Sequence, residues 1–188
     1  MPALTGNLIG ISYDETECLA KPGVGNTLYI AKLSSLDLAS WTVSGKEVTA
    51  IAMQTGEVFT VFEFESQTSV LSAEYSRDTG AYPYLISNIR YEGHSAARSL
   101  ALDELVGGCK LVAIAEYASG QRRLLGLEDN GAGIKRSLVG GQIQRHLDTS
   151  GERGNQQNGD RDELDFSASH ERTALYVPAS LTIPIQSA

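Results

Sequence analysis

The residues whose type and spacing come nearest to chemistry are two carboxylates, Glu63 and Glu65. On an extended strand, side chains two positions apart point to the same face, so these two would stand side by side. Adjacent carboxylates serve acid–base catalysis or hold a divalent cation. Both uses call for a further partner, and the surrounding sequence offers little: from Glu47 to Ser76 there is no Lys or Arg, while Glu47, Glu57, Glu63, Glu65 and Glu74 are all acidic. A charged stripe facing water is the expectation. The histidines, His94, His146 and His170, fall at a helix start, in an ambiguous segment and on a strand, and none is spaced with another His, Cys or carboxylate as a metal site requires. Their expected roles are structural. No serine lies in a Gly-x-Ser-x-Gly turn. The segment 131–137 echoes a phosphate-binding loop but lacks its Gly-Lys-Ser/Thr ending. Asp160, Asp162, Glu163 and Asp165 match a calcium loop in composition only. The reading is of a protein that is not an enzyme and carries no cofactor and no metal.

Composition narrows the class further. The chain has 188 residues, is 41% hydrophobic, and carries 23 acidic against 15 basic side chains for a net charge of −8. That length suits one ordinary domain with arms. The acidic balance argues against a protein whose task is to grip phosphates, although it is compatible with one that keeps DNA from sticking. No apolar run approaches the ~20 residues that cross a bilayer, and the start has neither a basic region nor an apolar core of the kind a signal peptide needs. Cys18 and Cys109 are far apart and in no Cys-x-x-Cys, so reduced, unpaired thiols and assembly in a cytoplasm are expected.

The elements that must position these residues are mainly strands. Residues 56–75, rich in Val, Phe, Thr and Ser, read as one continuous extended segment that at about 3.3 Å per residue would span roughly 60 Å. Its alternation shifts near Phe62-Glu63-Phe64. Strands are predicted at 27–31, 47–53, 82–92, 110–117, 122–127 and 162–171, with turns at 54–56, 77–80, 118–120 and 129–133, and 175–178 and 181–185 are expected to finish the chain as a short extended tail. On this reading 47–92 is a meander of long antiparallel strands. Leu138, Val139, Ile143 and Leu147 could line a further half-buried strand, and 148–162 is a polar loop. One helix is predicted over 94–106, with Ala97, Leu100, Ala101, Leu105 and Val106 on one stripe and Gly107-Gly108 ending it. The polar connection 33–45 carries an apolar handle, Leu36, Leu38 and Trp41, which either anchors it to its own domain or docks on a neighbouring subunit. The expected organisation is an N-terminal arm (1–26), a single β domain (27–178) and a C-terminal tail (179–188).

The order of these elements resembles a known family. A glycine-led strand start (Gly23, Gly25, then Thr27 to Ile30), a strand with Val48, Thr49 and Ile51, and the segment Phe59 to Glu65 come first. Gly80 and a second long strand follow, then a helix ending Leu102-Asp103-Glu104-Leu105. After it come the paired strands at Leu111 to Tyr117 and Leu124-Leu125-Gly126. In this the chain is similar to the tail tube proteins of tailed bacteriophages, particularly those of phages with Bacteroidetes-type hosts. The similarity runs over residues ~20 to ~178 and leaves both ends uncovered.

The resemblance implies an antiparallel β-sandwich or barrel with one flanking α-helix. It also implies a virion protein assembled in the host cytoplasm, whose subunits form stacked rings, usually hexameric, around a channel for double-stranded DNA. Long strands of neighbouring subunits would line the lumen as one barrel, which removes the aggregation-prone edges a monomer would expose. Glu57, Glu63, Glu65 and Gln67 are the expected lumen-lining residues, and Leu36, Leu38 and Trp41 the expected contacts between subunits or rings. Other tail proteins (terminator, tape measure, baseplate) would be the partners, with no membrane insertion. The alternatives are a tail terminator, completion or baseplate hub protein of the same fold, or a carbohydrate-binding β domain.

Overall fold

The structure, a computed structural model, describes residues 24–63, 70–92, 110–117, 119–129, 135–136, 141–147 and 161–185, together with Leu100, Asp103 and Val106. It is mainly β, with two principal sheets that do not close into a barrel. The larger has seven strands in the order β2 (Thr42–Ser44), β3 (Glu47–Ala50), β13 (Leu175–Val177), β8 (Arg122–Leu125), β7 (Leu111–Tyr117), β1 (Val24–Lys32) and β4 (Thr60–Glu63). The smaller has four, in the order β11 (Gln142–Leu147), β12 (Arg161–His170), β6 (Tyr82–Glu92) and β5 (Val70–Ala73). A two-stranded ribbon pairs β9 (Glu128–Asp129) with β10 (Lys135–Arg136).

The core follows from the strands' alternation. Leu28 and Ile30 of β1, Leu111, Ala113 and Ala115 of β7, and Leu125 of β8 face Ile86 and Ile89 of β6, Leu164 and Phe166 of β12, and Ile143 of β11. The intervening side chains build a second apolar cluster on the other face of the seven-stranded sheet: Ala31, Val112, Ile114, Leu124, Leu175 and Val177, with Phe59, Trp41, Leu36 and Ile183 laid over them. A sheet covered on both faces needs continuous apolar strands, and β7 is fully buried from Leu111 to Ala115. The C-terminal stretch is therefore not a free tail as far as Ile185: Ile183 is buried, and Phe59 donates its N–H to Pro184 O at 2.9 Å.

One corner joins the two sheets. Leu111 at the start of β7 exchanges two backbone hydrogen bonds with Gly141, just before β11. Gly126 packs against the same corner with φ +83°, and a Cβ there would lie 2.5 Å from Leu111 O. Only glycine combines that backbone conformation with so close an approach.

Several expectations are corrected. Residues 56–75 are not one long strand. β4 pairs with β1 in the larger sheet and β5 with β6 in the smaller, so the chain changes sheets between Glu63 and Val70. A strand that passes from one sheet to the other keeps its two-residue period on each side and reads from sequence as a single run. Nor is 47–92 a meander, because β3 lies between β2 and β13 while β4 is the opposite edge. Pairing of β13 with β3 is parallel, Tyr176 opposite Glu47. β1 begins at Val24, inside the expected arm. The helix predicted at 94–106 lies outside the described residues except for Leu100, Asp103 and Val106, all exposed, and the helix is not shown.

Candidate functional site

One continuous surface of described residues is the outer face of the four-stranded sheet. Register places Ser72 opposite Leu85, Leu85 opposite Ser167 and Ser167 opposite Gln142, a single row across β5, β6, β12 and β11. Pro83 and Ser169 pair above this row, and Gln144 with Asp165 below it. Inward neighbours Ile86, Phe166 and Ile143 hold the row in place from beneath. A shallow depression of about 350 Å³ lies here, lined by Pro83, Leu85, Gln142, Ser167 and Ser169 among others. The described side chains of this face are short, mostly uncharged and without a basic group. Within the described residues, β5 and β11 each pair on one side only, so both edges of the sheet are open.

The residues singled out from sequence fall elsewhere. Glu63 ends β4, an edge of the seven-stranded sheet opposite Thr27, and is exposed. Glu57 is exposed just ahead of β4, where its carboxylate accepts the Ser35 hydroxyl at 2.8 Å. Glu65 and Gln67 lie outside the described residues, as do Cys18, Cys109 and His94. The apolar handle is drawn inward. Leu36 and Trp41 are buried in their own chain with Leu38 against them, and the Trp41 indole N–H donates to Ala52 O at 2.7 Å. Backbone bonds from Asp37 to Ala52 and from Gln54 to Ser35 tie the loop down further. These contacts fit the anchoring role and leave Leu36 and Trp41 no free face for a neighbouring subunit.

His170, the last residue of β12, is 1% exposed. Its Nε2 accepts the N–H of Gly126 at 2.8 Å and its ring meets Tyr84 edge-on at 5.0 Å. Burial pushes its pKa down to about 4, so the ring is neutral at pH 7 with its proton on Nδ1, which has no hydrogen-bond partner. The turn beyond it is held by side chains of other elements. Glu128 accepts the N–H groups of Glu171 and Arg172, the Tyr84 hydroxyl accepts that of Ala174, and Arg123 donates to Ala174 O. This is the crossing from the smaller to the larger sheet, and its backbone groups are satisfied without a ladder.

Two arginines at the start of β8 organise a second surface. Arg122 pairs with Glu116 at 2.8 Å and lies 5.8 Å from the Tyr29 ring centroid. Desolvation pushes the Tyr29 phenol up, and the Glu116 charge adds to it. Arg123 points to the opposite face of the sheet, its guanidinium carbon 3.5 Å from the Tyr176 ring centroid and its Nη2 donating to the Tyr176 hydroxyl at 2.6 Å. Burial likewise raises the Tyr117 pKa, against the nearby Arg123 charge. Sequence reading missed the Arg123–Tyr176 pair because β8 and β13 are brought together only by the sheet. Among the described residues no group of three or more His, Cys, Asp or Glu is placed to hold a metal ion. None of the described helical residues belongs to a span long and apolar enough to cross a membrane.

Compared with protein families, with curated proteins and with solved structures, the chain matches none.

Proposed function

We propose that this protein is a ring-forming virion component, a tail tube subunit of a tailed bacteriophage, with two sheets stacked as a sandwich scaffold for a shared barrel. The observation that carries the reading is the four-stranded sheet whose edge strands, among the described residues, each pair on one side only. Each of its strands is antiparallel to the next, so the edge strands β5 and β11 run in opposite directions. Repeating the subunit about a cyclic axis then sets β5 of one copy beside β11 of the next in antiparallel fashion. Every copy adds four strands to an all-antiparallel barrel, and that barrel, built from six copies in the family the sequence resembles, has no exposed edge of its own. β6, with 11 residues, is roughly 36 Å long, and the tilt that strands take in a closed barrel makes the wall shorter than that.

In this assembly the row Ser72, Leu85, Ser167 and Gln142 faces the channel. The side chains of that row are hydroxyl, amide and aliphatic and bring DNA no cationic contact of their own, and affinity for DNA grows with the number of phosphates neutralised. Glu63 ends an edge strand of the other sheet and Glu57 lies just ahead of that strand, so neither belongs to the row that faces the channel in this reading. Rings would stack into a tube and meet terminator, tape-measure and baseplate proteins.

Negative-stain electron microscopy of the purified protein over a concentration series tests the proposal. Rings that lengthen into hollow tubes wide enough for duplex DNA are expected. Single rings that never lengthen would favour a tail terminator, and a monomer at every concentration would overturn the ring itself.

A further inference from the structure

We propose that the groove where β8 starts and β13 ends is a saccharide-binding site with Tyr176 as its platform. The groove encloses about 390 Å³ and is bounded by Glu47, Gln121, Arg122, Tyr176 and Pro178, with the β7–β8 turn at its rim. A separate groove of about 250 Å³, lined by Tyr29, Ser180 and Leu181 among others, shares Arg122 and Ala179 with it.

The Tyr176 ring is 38% exposed and held fixed: Arg123 stacks on it at 3.5 Å and bonds its hydroxyl at 2.6 Å. A locked aromatic face is a surface for the C–H side of a sugar ring, binding at little entropic cost. Glu47, directly opposite Tyr176 in the parallel register, brings a carboxylate to the same face of the sheet, and Gln121 adds an amide at the rim. Together they offer acceptors and donors for hydroxyl groups around an apolar floor, the usual make-up of a small-molecule site.

The alternatives fit less well. A peptide adding as a strand would need an unpaired edge, and β13 is paired on both sides, by β3 and by β8. Nucleic acid would meet Glu47 and Glu116, with Arg122 already paired to the latter. A wholly apolar ligand would leave the carboxylate and amide unmatched in an open groove.

The site lies within one subunit, so glycan binding and ring formation are read separately: absence of binding leaves the tube reading standing, and sugar binding by a protein that stays monomeric would favour the carbohydrate-binding alternative. The experiment is a printed glycan array probed with the intact protein, followed by titration calorimetry with the strongest soluble oligosaccharide. Binding in the millimolar range or tighter is expected. Tyr176→Ala should weaken it at least tenfold, while Tyr176→Phe, which keeps the ring, should weaken it less. Glu47→Gln and Gln121→Ala, at exposed positions that leave the fold intact, should each weaken it severalfold and guard against misfolding of the tyrosine variant. No array signal, or a signal indifferent to Tyr176, Glu47 and Gln121 changes, would overturn the proposal.

Discussion

Acid should loosen this protein through one residue, His170. The ring is neutral when folded because burial holds its pKa at about 4, against 6.5 in an open chain. That difference is a preference of about 3 kcal/mol for the neutral form in the native state. The sign follows. Above pH 6.5 both states hold a neutral ring and the histidine costs nothing. Between pH 6.5 and about 4 the unfolded chain takes up the proton and the folded one does not, so stability falls as pH falls. Below about 4 both are protonated and the loss levels off. Geometry gives the same direction, since a proton on Nε2 would face the Gly126 N–H it now accepts from at 2.8 Å. The assay is urea unfolding at half-unit pH steps from 7.5 to 3.5 on the native protein and on His170→Gln. Carboxylates also titrate in this range, so the informative quantity is the difference between the two curves. The native protein should lose about 3 kcal/mol more than the variant over the window. Parallel curves would refute the reasoning.

Other consequences concern packing and surface. Trp41→Ala should cost about 3–5 kcal/mol in unfolding free energy and lower the melting temperature of the isolated subunit, because the indole anchors its own loop; normal subunit stability with failed assembly would restore the docking role. Gly126→Ala should destabilise by at least about 2 kcal/mol, measured by denaturation, from its positive φ and the contact with Leu111 O. Placing lysines at Ser167 and Gln142 should leave rings or tubes intact under the microscope while raising their salt-dependent retention of duplex DNA. Unchanged retention would remove that face from the channel.

Local pattern made much of this fold legible. The strand predicted at 82–92 is β6 residue for residue and that at 162–171 is β12 shifted by one, whereas 175–178, read as part of an extended tail, contains β13 within the larger sheet. The turn residues at 77–80 do connect β5 to β6. These succeed because alternation and turn chemistry are properties of neighbouring residues. The break at Phe62-Glu63-Phe64 was visible as well, as a shift in alternation, and it falls where β4 ends.

Partnership was not legible. An alternating strand declares two faces but not which sheet it joins, so β4 and β5 looked like one element, and the parallel pairing of Glu47 with Tyr176 left no local trace. For the same reason the handle at Leu36 and Trp41 had two readings until the second apolar cluster showed what covers it. By itself the sequence determined that the chain is mainly β, acidic, and without a recognisable catalytic or metal motif, because composition and periodicity carry that much. Tertiary structure alone decided that Glu57 and Glu63 lie away from the four-stranded face, that His170 is buried and neutral, and that Arg123 meets Tyr176. Each depends on contacts between residues distant in sequence, whose energies appear only once the two sheets are in place.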